Sequence, residues 1–294
     1  MEMEFNFDMV ARIAREGGKK RVVVSGEKDF AALRCLVEGK REGWIEPLAV
    51  GRAFADMTEE MEVAWCSVDL EEGRLRAFEI MESGEADVLM DTGPLEKRYG
   101  SLLLNRIKST GGSGTFSYAS VLIPPKTGRL TFMTDTLVNG SPGLQEKVGI
   151  LKNAIEFARR LGIKKPKVAV LAPLELVNPA LASTLDGAIL SKMSERGQFG
   201  PALVEGPLAM DNAASSSAAR HKGIRSLVPG NVDIYLFPDL ESAHLTAQFL
   251  SWIGRLRFGG ILLGTSFPVA IRSPLEQPDS WGINLALACS LKGR

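Results

Sequence analysis

The chain is poor in the residues that disulfide and metal chemistry require. It has three cysteines in 294 residues, at positions 35, 66 and 289, and two histidines, His221 and His244. The cysteines form no CxxC pair and lie in apolar surroundings, so we interpret them as small buried side chains of a protein in a reducing compartment. Two histidines exclude a His-rich metal site, and we predict no bound metal.

An excess of charge of either sign is also missing. Lysine and arginine total 35, and aspartate and glutamate also total 35, which leaves a net charge of zero. Binding to nucleic acid or to anionic membranes normally needs a basic surplus, so we predict neither partner. No apolar run approaches the roughly 18 residues of a membrane span, and the opening MEMEFNFDMVARIAREGG has no apolar core of signal-peptide length. We therefore expect a cytoplasmic protein.

The common phosphate-binding and hydrolase motifs are absent as well. No GxxxxGK[ST] loop occurs, and SGEKD at 25–29 follows the first predicted strand where a dinucleotide-binding domain would have GxGxxG. The Gly-Ser-Gly string at 112–114 lies in a predicted loop and does not form a GxSxG elbow. The sequence thus lacks the fingerprints of P-loop, NAD-dependent and α/β-hydrolase enzymes.

What the sequence does contain is a regular alternation of short apolar runs with stretches of helical period. This pattern is typical of parallel strands buried on both faces by crossover helices, and it predicts an α/β protein with two doubly wound, Rossmann-like domains. A break in the pattern predicts an antiparallel hairpin from 116–123 to 130–134. The other predicted strands are 21–25, 47–51, 61–66, 86–90, 167–172, 202–205, 233–238 and 260–264.

Two domains of this size would leave a cleft between them, and we place their boundary near residues 138–142. The tail from residue 268 could join either domain. The predicted helical stretches 175–196 and 240–258 carry more apolar residues than one buried face needs, including Phe249 and Trp252. Such a surplus stripe is commonly an interface, so we predict a homodimer.

Polar groups lie at the ends of three predicted strands of the second half. Glu205, followed by Gly-Pro, ends strand 202–205; Asp239 and Glu241 come after strand 233–238, and Thr265 and Ser266 come after strand 260–264. Ligands in open α/β sheets bind outside the carboxyl ends of the strands, so a site is expected there. Asp and Ser are also favoured helix caps, and for Asp239 and Ser266 that alternative stays open.

Six strings of the chain carry a family resemblance. They are FMTDTLVN at 132–139, LQEK at 144–147, KVAVLAPLELVNP at 167–179, EGPLAMDNA at 205–213, VDIYLFPDLE at 232–241 and GILLGTSFPVAIRS at 260–273. In this order they resemble the phosphate acetyltransferase and phosphate butyryltransferase family, most closely its butyryl-type members. The resemblance implies two domains arranged as in isocitrate and isopropylmalate dehydrogenases, with the tail in the first domain, and usually a dimer. The domains would be 1–138 plus 267–294, and 139–266.

The same resemblance implies transfer of an acyl group between coenzyme A and phosphate. The ligands would be acyl-CoA and phosphate or acyl phosphate, with coenzyme A as a substrate and no separate cofactor. This reaction needs help in deprotonating a thiol of pKa about 8.5, donors for the developing oxyanion, and cations for the phosphate.

The family's catalytic string matches PVAIRSPLE at 268–276. Ser273 matches its serine, Glu276 takes the place of its aspartate, and Pro274 stands where it has arginine. Arg272 precedes the serine, and we predict Ser273, Glu276 and Arg272 as the catalytic residues. A strand-like backbone would send the side chains of Arg272 and Ser273 to opposite sides. The residues predicted to bind substrate are Asp135, Asn139, Asp211, Glu241, His244 and Thr265.

Two further expectations follow from this comparison. Asn139, Glu241, His244 and Ser273 should project into the cleft, because they lie at boundaries or strand ends. Asp91-Thr92-Gly93 stands where many relatives have lysine and glycine, which puts an anion in place of a cation.

Two functions from different classes remain. The first is a phosphate acyltransferase. The second is a divergent family member that binds coenzyme A or another anionic ligand without transferring the acyl group. Pro274 separates them, since loss of the arginine fork removes a bidentate phosphate contact. A decarboxylating dehydrogenase of the related fold would need aspartates clustered on one helix face for Mg²⁺, and the sequence shows no such cluster.

Overall fold

The chain divides into two compact units. A computed structural model describes residues 7–65, 67–93, 105 and 114–291. Met1–Ser113 and Arg257–Arg294 form the first unit, and Gly114–Leu256 forms the second. The boundaries thus lie at 113/114 and 256/257, earlier than the 138/139 and 266/267 that the sequence suggested. The reason is that the predicted hairpin pairs with a strand of the second unit, with Phe132 opposite Ile234.

Helices and strands alternate along most of the described chain. In chain order they are α1 (Phe7–Glu16), β1 (Lys20–Ser25), α2 (Phe30–Arg41), β2 (Ile45–Val50), β3 (Glu62–Ala64), α3 (Leu70–Ser83), β4 (Val88–Asp91), β5 (Ser117–Leu122), β6 (Thr131–Thr134), α4 (Leu144–Arg160), β7 (Lys167–Leu171), α5 (Ala182–Glu195), β8 (Leu203–Leu208), α6 (Met210–Ala214), α7 (Ser216–His221), β9 (Ile234–Leu236), α8 (Leu240–Trp252), β10 (Phe258–Leu263), β11 (Val269–Ala270) and α9 (Trp281–Leu291).

The first unit contains a parallel sheet with the strand order β11-β4-β1-β2-β3. Strand β1 is central, and its residues Val22, Val23 and Val24 are completely buried. From β1 the chain continues to β2 and β3 on one side of β1, and β4 then lies on the other side. The carboxyl ends of β1 and β4 therefore border the point where the direction of winding reverses, which is the usual ligand position in such sheets.

The second unit contains strands in the order β5-β6-β9-β7-β8. Strands β5 and β6 are antiparallel, which confirms the predicted hairpin, and the remaining pairs are parallel. Two sheets of predominantly parallel strands with connecting helices confirm the predicted α/β class. Asp239 caps α8 by accepting the amide N–H of Ser242 at 2.8 Å, so the helix-cap alternative holds for this residue.

Two helices are shorter than the apolar pattern predicts. Helix α5 begins at Ala182 and not at 175, because Pro179 interrupts the segment and the Thr184 hydroxyl binds the backbone of Asn178. Helix α8 ends at Trp252, after which Arg255 adopts a φ of 51° before β10 begins.

Helix α9 is apolar on nearly all sides and lies in the core of the first unit. Leu285, Leu287 and Cys289 are among its buried residues, and it contacts α1 and β10. Cys35 is half-buried, whereas Cys66 and the glycines at 111 and 112 lie outside the described residues. No helix in the part of the chain that the structure describes is both long enough and apolar enough to cross a membrane.

Candidate active site

A cavity of about 520 Å³ opens at the carboxyl ends of β1, β4 and β11 in the first unit. Three segments that each follow one of these strands line it, together with Trp281 at the start of α9. Glu27 to Phe30 come after β1, Thr92 and Gly93 come after β4, and Arg272 to Pro274 come after β11. The cavity therefore occupies the position at which the strand order of an open α/β sheet predicts a ligand.

Ser273 and Glu276 form a buried pair in the last of these segments. The Ser273 hydroxyl donates to Glu276 Oε1 at 2.9 Å, and the Ser273 amide donates to Oε2 at 3.2 Å. Ser273 is 1% and Glu276 3% exposed. Because the Ser273 hydroxyl donates its hydrogen to the carboxylate, the lone pairs of the hydroxyl oxygen remain available to a further donor. The pair is thus arranged for proton transfer through Ser273.

Arg272 and Ser273 both line this cavity. Strand β11 ends at Ala270, and the alternation of a pleated strand no longer applies to these residues. Arg272 Nη1 donates to the Glu276 carbonyl at 3.1 Å, and Nη2 lies 3.8 Å from Asp29 Oδ2. Its Nε–H is buried and has no hydrogen-bond partner among the described residues.

Three residues of this site were not found by sequence reasoning. Asp29 caps α2 with Oδ1, which accepts the amides of Ala31 and Ala32, while its Oδ2 accepts the Trp281 indole N–H at 3.0 Å. Asn284 Nδ2 donates to Glu276 Oε2 at 2.6 Å. A single asparagine beside the apolar string LALAC was a visible signal, but its partner was not.

Asp91 does not add a free anion to the cavity, in contrast to the expectation from the sequence. Its carboxylate receives two hydrogen bonds from the Arg74 guanidinium, at 2.6 and 2.7 Å, and both residues are buried. A side chain at Gly93 would collide with this guanidinium and would have to displace it. The ion pair compensates the charge of Asp91 and fixes the end of β4, from which Thr92 enters the cavity lining.

In the second unit, Asp135 organises the loop that follows β6. Oδ1 accepts the amides of Tyr118, Leu137 and Val138 at 3.0 to 3.1 Å, and Oδ2 accepts the amide and the side-chain N–H of Asn139. Burial raises the pKa of the Asp135 carboxyl, and these hydrogen bonds oppose that shift. The carboxylate is therefore engaged with its own loop.

His244 contacts the same loop from the first turns of α8. Its Nδ1 lies 3.1 Å from the carbonyl oxygen of Thr136, which favours the tautomer with the proton on Nδ1. The Asn139 side chain also donates to the Phe116 carbonyl at 2.6 Å. The structure thus brings Asp135, Asn139 and His244 to one loop within the second unit.

The other predicted substrate-binding residues have separate surroundings. Asp211 forms an ion pair with Lys222 at 3.1 Å, and this hydrogen bond lowers the pKa of the aspartate. Glu241 is exposed in the first turn of α8, and Thr265 is half-buried after β10 in the first unit. The described residues contain no group of three or more histidine, cysteine, aspartate or glutamate side chains placed to hold a metal ion.

The fold and the site define an α/β protein with a buried Ser-Glu pair and an arginine at the carboxyl edge of a parallel sheet. Comparison with known proteins identifies the family to which it belongs. Residues 55–279 match the family model described as phosphate acetyl/butaryl transferase. This match covers most of the chain, and the chain belongs to that family.

Relatives of known name extend the match over almost the whole chain. The chain is 32% identical over 296 residues to the phosphate butyryltransferase of Clostridium acetobutylicum, with 98% of each chain covered. It is 32% identical over 293 residues to the phosphate acetyltransferase of Thermotoga maritima, covering 96% of this chain and 98% of the relative. These matches confirm the resemblance drawn from the six strings.

A solved structure shows the same fold. The branched-chain phosphotransacylase from Enterococcus faecalis V583 superimposes with a TM-score of 0.78, at 23% identity, covering 92% of this chain and 98% of that one. At this identity the likeness supports the fold alone.

Proposed function

We propose that this protein is a phosphate acyltransferase, which transfers a short acyl group between coenzyme A and phosphate. The observation that carries the proposal is that Ser273 and Arg272 line one cavity, with the buried Glu276 bonded to Ser273, in a chain of this family. The family's arginine is replaced by Pro274 in this chain, and Arg272 supplies the positive charge instead.

In the direction of acyl-CoA synthesis, the coenzyme A thiol gives its proton to Ser273 Oγ as the Ser273 proton passes to Glu276. The thiolate sulfur then attacks the carbonyl carbon of the acyl phosphate, and a carbon–sulfur bond forms. The carbon–oxygen bond to phosphate breaks, and phosphate leaves with the electron pair. Arg272 neutralises the leaving group, because its guanidinium group carries a positive charge and the residue lines the cavity.

We propose a substrate-binding role for the other predicted site residues, which are Asp135, Asn139, Asp211, Glu241, His244 and Thr265. Asp135 would act by shaping the 135–139 loop, since its oxygens are occupied by that loop. No cofactor besides the two substrates is required by the chemistry, and we propose that the protein works in the cytoplasm.

A thiol-release assay tests the function directly. Acetyl-, propionyl- and butyryl-CoA are incubated with and without phosphate, and we expect phosphate-dependent release of coenzyme A from at least one of them. Ser273→Ala should lower kcat by about 10² to 10³-fold. Ser290→Ala is the matched control, because this serine of α9 donates to the Leu287 carbonyl, away from the cavity lining, and should leave kcat unchanged.

The opposite outcome is equally clear. If the wild-type protein binds coenzyme A in calorimetry but releases no thiol in a phosphate-dependent way, the acyltransferase proposal fails. The chain would then be a binding protein of the same fold.

We also propose that two copies of the chain associate through α8. Leu245, Phe249 and Trp252 are spaced at i, i+4 and i+7 and are 64, 64 and 72% exposed, and Ile253 beside them is 70% exposed. This spacing places them on one helix face. A contiguous apolar stripe of this kind is unfavourable in water, and a second copy would cover it symmetrically.

A further inference from the structure

Helix α9 contains a completely buried polar side chain, that of Asn284. The residues that follow it, Leu285 to Cys289, are all apolar and buried. Burial of an amide costs free energy unless its donors and its acceptor are all bonded. The partners of Asn284 therefore show what holds it in this position.

The Asn284 side chain joins three segments of the first unit. Its Oδ1 accepts the amide N–H of Gly260 in β10 at 2.8 Å. Its Nδ2 donates to the Ile271 carbonyl at 2.8 Å and to Glu276 Oε2 at 2.6 Å. Because the Gly260 amide can only donate, the orientation of the carboxamide is fixed, and Nδ2 must face the carboxylate.

The two carboxylate oxygens of Glu276 have different hydrogen-bond partners. Oε2 of Glu276 is held by Asn284 and by the Ser273 amide, whereas Oε1 accepts the Ser273 hydroxyl. A donor on Oε2 favours the ionised carboxylate, and it also prevents rotation of the carboxyl group away from Ser273. Both effects serve a carboxylate that must accept a proton through the serine.

We propose that Asn284 is a positioning residue, which holds the Glu276 carboxylate ionised and directed at Ser273. Its consequence for catalysis rests on the proposed acyltransferase function, whereas the contact with Glu276 does not. Asn284 touches no reacting atom and acts only through Glu276.

Asn284→Asp tests this role because it replaces the Nδ2 donor by an oxygen and leaves the acceptor for Gly260 in place. The introduced carboxyl group and Glu276 would then share a proton, so Glu276 would ionise only at higher pH. The acid limb of the pH profile of kcat/KM should move upward by about one pH unit or more. The Glu276 carboxyl ¹³C resonance, assigned with Glu276→Gln, should titrate at correspondingly higher pH.

Asn153→Asp is the matched control. Asn153 in α4 donates to the Thr115 carbonyl at 2.6 Å and to the Ser117 hydroxyl at 3.2 Å, and neither partner is a carboxylate. This variant should lose stability without a change in the pH profile. An acid limb and a Glu276 resonance that stay unmoved in Asn284→Asp would show that residue 284 does not act on Glu276, and that result would overturn the proposal. Asn284→Ala, which adds no charge, separates positioning from a purely structural role.

A second comparison covers the case in which Asn284→Asp folds poorly. Asn284→Ala should lower kcat by about 10²-fold with little change in KM, because the base is misplaced. In a Glu276→Gln background the same substitution should have no further effect on kcat; an equal loss in both backgrounds would contradict the proposal. If the wild type shows no turnover, the proposed function fails, and the ¹³C titration alone decides whether Asn284 controls Glu276.

Discussion

Replacement of Arg272 by alanine is expected to weaken phosphate binding and to leave the Ser273–Glu276 pair in place. A charge-assisted hydrogen bond contributes about 1.5 to 3 kcal/mol, and a factor of ten corresponds to about 1.4 kcal/mol. The Arg272 side chain is 31% exposed, and Asp29 lies 3.8 Å from its guanidinium. Solvent and this carboxylate both reduce its net attraction for phosphate, so we expect the lower part of the range, a rise of about 10- to 30-fold in the KM for phosphate.

The assay follows phosphate-dependent release of coenzyme A from butyryl-CoA at several phosphate concentrations. Arg257→Ala is the matched control, because this exposed arginine of the same unit pairs with Asp279 and lies outside the cavity lining. Arg272→Lys should give an intermediate KM, since it keeps the charge but loses the planar fork. Pro274→Arg in the Arg272→Ala background should restore part of the phosphate affinity.

The reasoning is refuted if the KM for phosphate in Arg272→Ala stays within about twofold of the values for the wild type and Arg257→Ala. A fall in kcat without a change in KM would also contradict it, because Arg272 would then act on the leaving group without contributing to the binding of phosphate. Thermal melts of each variant check that the fold is intact, since Arg272 Nη1 also holds the Glu276 carbonyl.

Three other predictions concern thiols, stability and assembly. Burial raises the pKa of both Cys35 and Cys289 to about 12. At pH 8 iodoacetamide should therefore modify them about 10³-fold more slowly in the native than in the unfolded protein. Rapid labelling of either cysteine peptide in the native protein, measured by mass spectrometry, would contradict this. Asp91→Asn should lower the free energy of unfolding by about 3 to 5 kcal/mol in urea titrations, because it leaves the Arg74 charge buried without its carboxylate. Asp279→Asn, which breaks an exposed ion pair, should lower it far less, and similar losses in the two variants would refute the argument. In light scattering, the wild type should give the mass of a dimer and the double variant Phe249→Glu/Trp252→Glu the mass of a monomer. Leu75→Glu, at an exposed position of the first unit, is the control and should remain a dimer. A monomeric wild type would disprove the interface.

The parts of the fold that were predictable depend on local patterns. The valine run of β1 and the period of α3 need no distant partner to be recognised, and Asp239 marks the start of α8 by its own cap. The boundary between the units depended on a distant pairing, since Phe132 lies opposite Ile234, about a hundred residues later. No local pattern shows to which sheet a hairpin belongs.

The site divides in the same way. Ser273 and Glu276 are three residues apart, so their contact is local and was predictable once the string was recognised. Asp29 and Trp281 are separated by 252 positions, and their hydrogen bond forms only when the sheet is assembled. The pairing of Asp91 with Arg74 was missed for a different reason: the sequence showed a change of charge but not the guanidinium that compensates it.

The discontinuous first unit has a consequence for the timing of biosynthesis. Strands β1 to β4 are complete when residue 91 has been made, but β11, Arg272, Ser273, Glu276 and Asn284 come from the last part of the chain, up to the end of α9 at residue 291. Ribosomes add about 5 to 20 residues per second, so the two parts of the cavity are made about 10 to 40 seconds apart. The second unit, which is contiguous in sequence, can fold in that interval, whereas the carboxyl edge of the first sheet stays without Ser273 and Glu276 until those residues have been made.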